Sequence, residues 1–298
     1  MESSSFEIKA HGEDRLDKYL SQSDVGVSRS RIKKLINLGL ITVSSKKVTP
    51  SYRLAKNDVI KGIIPSDLPT RVVGENIPLD IIYEDQDCLV INKPAGLVVH
   101  PAAGHPGGTL VNAILYHLKA LPSSDLRIGI VHRLDKDTSG VMVVAKNQLS
   151  ETALKKQFQE RVVKKVYLCL VEGKLDKDSG SVNKPIGRHP KNRQKFATTQ
   201  GGKEAQTDYK KVKSYGQFSL VEVQPLTGRT HQIRVHLASI GHPLVGDKTY
   251  GHSSNIFGLE RQFLHSQELS FKQPSSGEKL IFQAPLPREL RTILDKLE

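Results

Sequence analysis

The chain has 298 residues, of which 37% are hydrophobic and 25% charged, a composition typical of a globular protein and not of a disordered one. Its 44 lysines and arginines outnumber its 31 acidic residues, and the formal net charge of +13 favours a polyanionic partner. Two cysteines in apolar runs form neither a disulfide framework nor a zinc site. With no secretory signal and no apolar run long enough for a transmembrane helix, we expect a cytoplasmic protein without a membrane partner.

The first predicted module is a small α+β unit at residues 13–62. The segment EDRLDKYLSQ predicts a helix with one apolar stripe. Ser28 is predicted to cap a second helix, RSRIKKLINLG, which ends at its glycine, Gly39. Short strands joined by turns are expected in LITVSS and KVTPSYRLAKNDVI.

The second helix of this module and the segment after it are strongly basic. Between Asp24 and Asp58 the chain has eight lysines and arginines and no acid. Such a helix can lie along a phosphate backbone, although a solvated helix face is the alternative. The order and spacing of RLDKYL, SRSRIKKLINLGLITV and SYRLAKNDVI resemble the S4 RNA-binding module. The candidate RNA contacts of this helix are Arg29, Arg31, Lys33 and Lys34.

A linker is predicted at residues 63–76, where two prolines and a glycine occur with little periodicity. Residues 77–298 then predict one larger domain in which strands and helices are mixed. Strands are expected in LDIIYEDQDCLVINKP, VYLCLVEG and FSLVEVQP, and helices in GGTLVNAILYHLKAL, ETALKKQFQERVV and QIRVHLASIG. The predicted fold class is therefore α+β, with a mixed and largely antiparallel sheet flanked by helices.

The segment VHRLDKDTSG, residues 131–140, places five ionisable side chains between two predicted strands. Asp135 in this turn can be a nucleophile, a general acid or base, a metal ligand or a surface charge. The segment GRTHQIR supplies two arginines, Arg229 and Arg234. An arginine beside a partly buried carboxylate favours its ionised form and fixes its direction, so these segments together indicate a reactive carboxylate.

Other kinds of site find little support in the sequence. His231 and His236 are five residues apart, a spacing that shares neither a helix face nor a strand face, so they do not predict a zinc pair. Neither a G-x-S-x-G motif nor a P-loop motif occurs. We therefore expect a reaction that requires no metal and no cofactor.

VHRLDKDTSG matches the HRLDxxTSG signature of the RluA-type pseudouridine synthases. Five further segments occur in the order typical of that family: NKPAGLVVHP before this signature, and KVYLCLV, LTGRTHQIRVH, GHPLVGDKTYG and RQFLHSQELSF after it. The resemblance therefore covers nearly the whole chain. It implies a pseudouridine synthase fold and isomerisation of uridine to pseudouridine in RNA. HPGGTLVNAIL, GIVHRLDKDTSG and GRHPKNRQKFAT most resemble the RluD-type members, which implies 23S ribosomal RNA, free or in an assembling large subunit, as the partner.

The resemblance also implies roles for individual residues. Asp135 matches the aspartate that attacks a flipped uridine, at the ribose C1′ or at C6 of the base. Tyr167 matches the tyrosine that stacks on the base and helps to remove the C5 proton. Arg234 matches the arginine paired with the carboxylate, and Arg133 the arginine that enters the space left by the flipped nucleotide. Leu264 is expected in the apolar wall of the pocket.

A second set of basic residues is expected to contact the RNA backbone. Arg229 is the alternative partner of the carboxylate and otherwise an RNA contact. The loop GRHPKNRQK supplies the further candidates Arg188, Lys191 and Arg193. Two other functions stay open: a non-catalytic RNA-binding assembly factor, and a nucleoside hydrolase that cleaves the glycosidic bond without rejoining it. A monomer is expected.

Overall fold

The chain folds into two compact units, which we call the front unit (Met1–Thr70) and the main unit (Arg71–Glu298). The computed structural model describes residues 4–23, 25–65, 72–101, 105–119, 129–192, 195–251 and 256–298. Among these residues no helix has both the length and the apolar character required to cross a membrane. Six residues of the predicted linker, 66–71, lie outside the described residues, whereas Val72 is buried in the core of the main unit.

The front unit is a three-stranded antiparallel sheet with two helices. Its elements are β1 (Ser4–Lys9), α1 (Leu16–Gln22), α2 (Arg29–Asn37), β2 (Ile41–Val43) and β3 (Val59–Ile64). Strand β3 lies between β1 and β2, and β1 pairs with it along its whole length. The module predicted at 13–62 therefore omits a strand. The strands predicted in KVTPSYRLAKNDVI are wrong before Val59, because that segment forms turns and single bridges.

The basic helix α2 begins and ends where the sequence predicts. The side chain of Ser28 accepts a hydrogen bond from the backbone N–H of Arg31, which satisfies one of the unpaired donors of the first turn. The helix stops before Gly39, whose φ of +73° is a left-handed conformation that few other residues adopt. Its apolar stripe of Ile32, Leu35 and Ile36 is buried in the core of the front unit.

The main unit contains most of the strands and four helices among its described residues. Its elements are β4 (Ile81–Glu84), β5 (Cys88–Lys93), α3 (Leu110–His117), β6 (Ser139–Ala145), α4 (Gln148–Gln159), β7 (Lys164–Glu172), β8 (Ser179–Asn183), β9 (Ile186–Arg188), β10 (Phe196–Thr198), β11 (Gln206–Tyr215), β12 (Phe218–Pro225), α5 (Gln232–Ala238), a 3-10 turn (Ile256–Gly258), β13 (Leu264–Lys272), β14 (Lys279–Gln283) and α6 (Arg288–Asp295).

One large sheet organises the main unit. Its strand order is β4-β5-β6-β13-β7-β12-β11-β8, with β14 paired to β13, while β9 and β10 form a separate hairpin. Strands β6 and β13 are parallel and the other pairs are antiparallel, which confirms the mixed, largely antiparallel sheet. Strand β6 is buried on both faces, with Met142 and Val144 in one apolar cluster and Val141 and Val143 in another.

The turn at residues 131–138 leads directly into β6. Of the strand predicted directly before it, Ile130 forms one bridge, to Val144, and residue 128 lies outside the described residues. The glycine at the end of VHRLDKDTSG has a clear steric cause. Gly140 has a φ of +117°, and a Cβ there would lie 2.1 Å from the carbonyl oxygen of Ser266 on the neighbouring β13.

Candidate active site

A cavity of about 620 Å³ opens on the main unit between the turn at 131–138, the end of α4 and the segment 225–234. Its size is in the usual range for a small-molecule or nucleotide pocket. Six of the predicted site residues lie together in its wall: Arg133, Asp135, Tyr167, Arg229, Arg234 and Leu264. These residues come from the turn, β7, the segment before α5, α5 itself and β13.

The turn that carries Asp135 is held from three sides. The imidazole Nε2 of His132 accepts the backbone N–H of Val143 at 3.1 Å. On the other side, the ammonium of Lys93 donates to the carbonyl of Lys136 at 3.0 Å, and the guanidinium of Arg261 donates to the carbonyl of Asp137 at 3.1 Å. Because the residues on both sides of Asp135 are hydrogen-bonded to other segments of the main unit, the carboxylate has a fixed position in the cavity wall.

Lys93 is completely buried, an uncommon position for a lysine. Burial lowers its pKa to about 7. Its Nζ donates to three carbonyls, those of Pro94 at 2.8 Å, Leu97 at 2.9 Å and Lys136 at 3.0 Å. The lysine of the NKPAG motif therefore joins the end of β5 to the turn of Asp135 and does not line the cavity.

Asp135 faces Arg234 through one of its two oxygens. Nη1 of Arg234 lies 3.5 Å from Oδ2, and the carboxylate side chain is 18% exposed. Oδ1 makes no hydrogen bond or ion pair to the described residues. The carboxylate is thus anchored at one oxygen, and the other is left for a ligand.

Arg234 is itself oriented by a second carboxylate, that of Asp247. Its Nε and Nη2 donate to the two oxygens of Asp247 at 2.7 and 2.8 Å, a bidentate pair. Burial alone would raise the pKa of Asp247, but the hydrogen bonds and charge of Arg234 outweigh burial and hold it below its usual value. Backbone N–H groups of Thr249 and Tyr250 also donate to Asp247. Arg234 is therefore locked in place before any ligand binds.

Tyr167 lies on β7 with its side chain in the cavity wall, and it is only 8% exposed. Burial raises the pKa of its phenol to about 12, and the nearby charge of Asp135 adds to the effect. Lys165, two residues earlier on the same strand, also lines the cavity, and burial lowers the pKa of its ammonium to about 8. Leu264, the first residue of β13, adds apolar surface beside them.

The segment before α5 is shaped by one buried glutamine, Gln232. Its carbonyl oxygen accepts from the Thr227 hydroxyl at 2.7 Å and from the Arg229 N–H at 2.9 Å. Its amide donates to the carbonyl of Gln206 and to the hydroxyl of Thr207. This network fixes the loop from which Arg229 reaches the cavity. The Nε of Arg229 donates to the carbonyl of Glu204. Arg234, and not Arg229, is therefore the arginine that contacts Asp135.

Among the candidate RNA contacts of the main unit, Arg133 lines the cavity, as Arg229 does, and is exposed. The described candidates in the segment GRHPKNRQK do not line the cavity. Arg188 ends β9, and its guanidinium stacks on the ring of Phe196 at 4.5 Å. Lys191 is exposed in the β9–β10 loop, and Arg193 lies outside the described residues. The loop predicted in GRHPKNRQK is thus a hairpin connection.

In the front unit, two of the four predicted RNA-contacting residues of α2 form ion pairs with a buried aspartate. Arg29 and Lys33 both reach Oδ2 of Asp17, at 3.0 and 3.4 Å. Arg31 donates to the carbonyl of Pro65 at 2.7 Å. Lys34 is exposed and has no acidic partner among the described residues. Their contact with RNA stays a prediction.

The two histidines of HQIRVH lie in different surroundings. His236 is fully buried and bonds the Thr207 hydroxyl at 2.8 Å and the Lys184 carbonyl at 2.9 Å. His231 instead faces the cavity. Within the described residues, no group of three or more His, Cys, Asp and Glu side chains is placed to hold a metal ion.

Sequence reasoning missed four residues that shape the site: Lys93, His231, Asp247 and Arg261. Asp247 follows an apolar run, PLVG, within a motif that the sequence already marked. Lys93 ends the apolar strand CLVINK, and a charged residue that continues a buried run is a usable signal for a buried hydrogen-bonding group. His231 and Arg261 also lie in such motifs, LTGRTHQIRVH and RQFLHSQELSF, but their partners lie about 100 residues away or more along the chain, so the motifs alone do not indicate these contacts.

Comparisons with known proteins agree with this architecture. The model of the RNA pseudouridylate synthase family matches residues 87–239, and that of the S4 domain matches residues 14–60. An uncharacterized RNA pseudouridine synthase of Aquifex aeolicus is 46% identical over 98% of this chain and 96% of its own length. Ribosomal large subunit pseudouridine synthase D of Nitrosomonas europaea is 44% identical over 95% of this chain and 84% of its own.

Solved structures also match the main part of the chain. Human RNA pseudouridylate synthase domain containing 1 aligns with a TM-score of 0.57 and 28% identity, over 75% of this chain and 96% of that one. Human RNA pseudouridylate synthase domain containing 4 aligns with a TM-score of 0.58 and 27% identity, over 73% and 92%. The chain therefore belongs to the RNA pseudouridylate synthase family, whose members isomerise uridine in RNA, and it carries an S4 domain at its N-terminal end.

Proposed function

We propose that this enzyme isomerises specific uridines of large-subunit ribosomal RNA, with Asp135 as the attacking carboxylate. The choice of RNA is supported by relatives named ribosomal large subunit pseudouridine synthase D, at 44% identity in Nitrosomonas europaea and 40% in Xanthomonas campestris, each over 95% of this chain. The net charge of +13 and the S4 domain suit a large, structured RNA.

The observation that carries the role of Asp135 is the unequal use of its two oxygens. Oδ2 faces Arg234, whereas Oδ1 of this cavity-lining residue has no partner among the described residues. A nucleophilic carboxylate requires a fixed direction and one oxygen that can reach the substrate. Arg234, already held by Asp247, provides that direction without covering the second oxygen.

The proposed reaction conserves every non-hydrogen atom of the uridine. Asp135 adds to C1′ of the ribose or to C6 of the base, and the C1′–N1 bond breaks. The uracil turns within the cavity, a C1′–C5 bond forms, and the bond to Asp135 breaks, which regenerates the carboxylate. The C5 proton leaves, and N1 takes up a proton. The raised pKa keeps the Tyr167 phenol protonated, so Tyr167 accepts the C5 proton only as its own hydroxyl proton passes to a neighbouring acceptor.

Access to the uridine requires that the base leaves the RNA stack, at a cost of a few kcal/mol. An exposed cation at the cavity mouth can offset part of this cost by occupying the vacated space and contacting phosphates. Arg133 has the position for this role, since it is exposed, lines the cavity and has no acidic partner among the described residues. Tyr167 provides an aromatic surface for the flipped base.

Release of tritium from C5 tests the proposal. Large-subunit ribosomal RNA transcribed with uridine tritiated at C5 is incubated with the wild type and with Asp135→Asn, and tritium in water is counted. A small-subunit transcript is the matched control. We expect release from the large-subunit RNA alone and only with the wild type, because joining C1′ to C5 must expel the C5 hydrogen.

Two results would overturn the proposal. Free uracil without tritium release would identify a hydrolase, which cleaves the glycosidic bond and does not rejoin it. Tight binding of large-subunit RNA with no release, from free transcript and from immature subunits alike, would identify a non-catalytic assembly factor. Release from the small-subunit transcript instead would reject only the choice of RNA.

A further inference from the structure

His231 occupies an unusual backbone position beside Asp135. It is the residue before α5, with a φ of +55°, a left-handed conformation that is sparsely populated by residues other than glycine. Its side chain makes no capping bond to the helix. Local helix formation therefore does not explain the conformation, and strained positions of this kind cluster at functional sites.

The imidazole of His231 lies between two groups of the site. Nε2 is 3.9 Å from Oδ2 of Asp135, and Nδ1 is 2.9 Å from the hydroxyl of Tyr250. The rings of Phe196 and Tyr250 pack edge-on against it, at 5.6 and 5.7 Å between centroids. The ring is thus fixed between aromatic neighbours with its Nε2 edge toward the carboxylate.

The hydrogen-bond partners define the tautomer. A carboxylate oxygen only accepts, so the favourable arrangement has Nε2–H toward Asp135, which leaves a lone pair on Nδ1. The Tyr250 hydroxyl already accepts the backbone N–H of Phe196 at 3.0 Å, so its own O–H is available to donate to Nδ1. Burial lowers the pKa of His231, against the opposing charges of Asp135 and Asp247, which keeps the ring neutral.

We propose that His231 is a positioning residue for Asp135: the Tyr250 hydroxyl fixes its Nε2–H tautomer, and Nε2–H donates to Oδ2 when substrate fills the cavity. This inference rests on the proposed role of Asp135 as the attacking group. Contacts of this length in a ligand-free site commonly shorten when the substrate binds. Arg234 and His231 then hold the same oxygen, and Oδ1 alone is directed at the uridine.

The tautomer is tested without any activity measurement. Full-length protein labelled with ¹⁵N-histidine is studied by long-range ¹H–¹⁵N NMR, and His231→Gln assigns the signal. We expect a neutral ring protonated at Nε2 in the wild type and a shift toward the Nδ1–H form in Tyr250→Phe. A wild-type ring protonated at Nδ1, or a tautomer that Tyr250→Phe leaves unchanged, would overturn the inference.

Kinetics test the contact with Asp135. In His231→Gln the side-chain amide keeps an N–H near the place of Nε2, whereas His231→Leu fills similar space without a donor. We expect the leucine variant to lose about tenfold to a hundredfold in kcat with KM for RNA nearly unchanged, and the glutamine variant to recover most of the rate. Equal losses in the two variants, or a loss confined to KM, would assign His231 to packing or RNA binding.

The two tests also separate this inference from the proposed function. If Asp135→Asn retains tritium release, the attacking group is misassigned, whatever the NMR result. If Asp135→Asn is inactive while the His231 ring carries its proton on Nδ1, the proposed function stands and the positioning role fails.

Discussion

Each unit of this enzyme contains an aspartate surrounded by basic side chains, and the two aspartates are used in opposite ways. Asp17 in the front unit is completely buried, and its oxygens contact Arg15, Arg29 and Lys33 at 3.0 to 3.4 Å. Asp135 in the main unit is 18% exposed, and its described partners approach one oxygen, at 3.5 and 3.9 Å. Both oxygens of Asp17 are thus paired with cations, whereas one oxygen of Asp135 has no partner among the described residues. We call a carboxylate saturated when both of its oxygens are paired.

The comparison shows that pairing with cations does not by itself make a carboxylate reactive. Asp247 is a third case, within 4 Å of the same arginine as Asp135, and both of its oxygens are occupied by Arg234. Saturated carboxylates organise the cations around them, as Asp17 does for α2 and Asp247 for Arg234. Only the incompletely paired carboxylate can add to a substrate without first breaking strong hydrogen bonds.

The largest effect is expected at Asp247. Asp247→Asn removes the charge that balances the buried Arg234, and unpaired buried charges cost about 3–5 kcal/mol. The variant should be strongly destabilised, and its folded fraction should isomerise uridine about tenfold to a hundredfold more slowly because Arg234 no longer directs Asp135. Urea unfolding and tritium release measure the two effects.

Asp178→Asn is the matched control, since Asp178 is an exposed partner of Lys211. It should change neither quantity noticeably. A folded and fully active Asp247→Asn would contradict the view that Asp247 acts through Arg234.

A smaller effect is expected at Asp17. Burial alone would raise its pKa, but hydrogen bonds from Arg15, Arg29 and Lys33 hold it below the usual value. Asp17→Asn leaves three half-exposed cations without their acid, so we expect the front unit to lose about 2–3 kcal/mol, less than for a fully buried pair. The chain has no tryptophan, so hydrogen exchange of the α1 and α2 amides is the suitable measurement.

Asp14→Asn is the control for this experiment, because Asp14 forms an exposed pair with Lys18. We expect it to change stability by less than about 0.5 kcal/mol. If the two variants behaved alike, burial would not distinguish the Asp17 cluster from a surface ion pair.

The effect that is smallest near neutral pH, and that grows only on acidification, is a pH dependence at the turn of Asp135. Burial lowers the pKa of His132 to about 3, and its Nε2 accepts the N–H of Val143. Between pH 6.5 and about 3 the unfolded chain therefore binds a proton that the folded protein does not, and stability falls as the pH is lowered through this window. His132→Gln should flatten the curve by up to about 1.4 kcal/mol per pH unit. Parallel unfolding curves for the two proteins would contradict a neutral His132.

Local features of the fold were predictable from the sequence because their causes are local. The Ser28 cap, the stop at Gly39 and the apolar stripe of α2 follow from neighbouring residues. Strand β1 was missed because its pairing with β3 joins residues more than 50 positions apart, as Phe6 and Gly62 illustrate. Of the strand expected before residue 131, the described residue Ile130 forms only a single bridge, and periodicity cannot distinguish a strand from a segment with a single bridge.

The candidate site also combines residues that local motifs indicate with residues that depend on long-range contacts. Asp135, Tyr167 and Arg234 lie in short motifs, and the structure places all three around one cavity. Asp247 and His231 gain their relevance from atoms that only the folded chain brings near: the guanidinium of Arg234 for Asp247, and Oδ2 of Asp135 for His231. A motif therefore indicates which residues meet, but not which oxygen of Asp135 remains free.

The most direct test of the unequal carboxylates measures rate, RNA affinity and stability on one protein, Asp135→Asn. Because the asparagine keeps the shape but cannot add to the uridine, we expect tritium release to fall by at least about 10⁴-fold. RNA affinity should be retained and the free energy of unfolding unchanged or slightly higher, since no strong ion pair is lost. A variant that still isomerises uridine at a comparable rate, or that loses activity only by unfolding, would contradict the account.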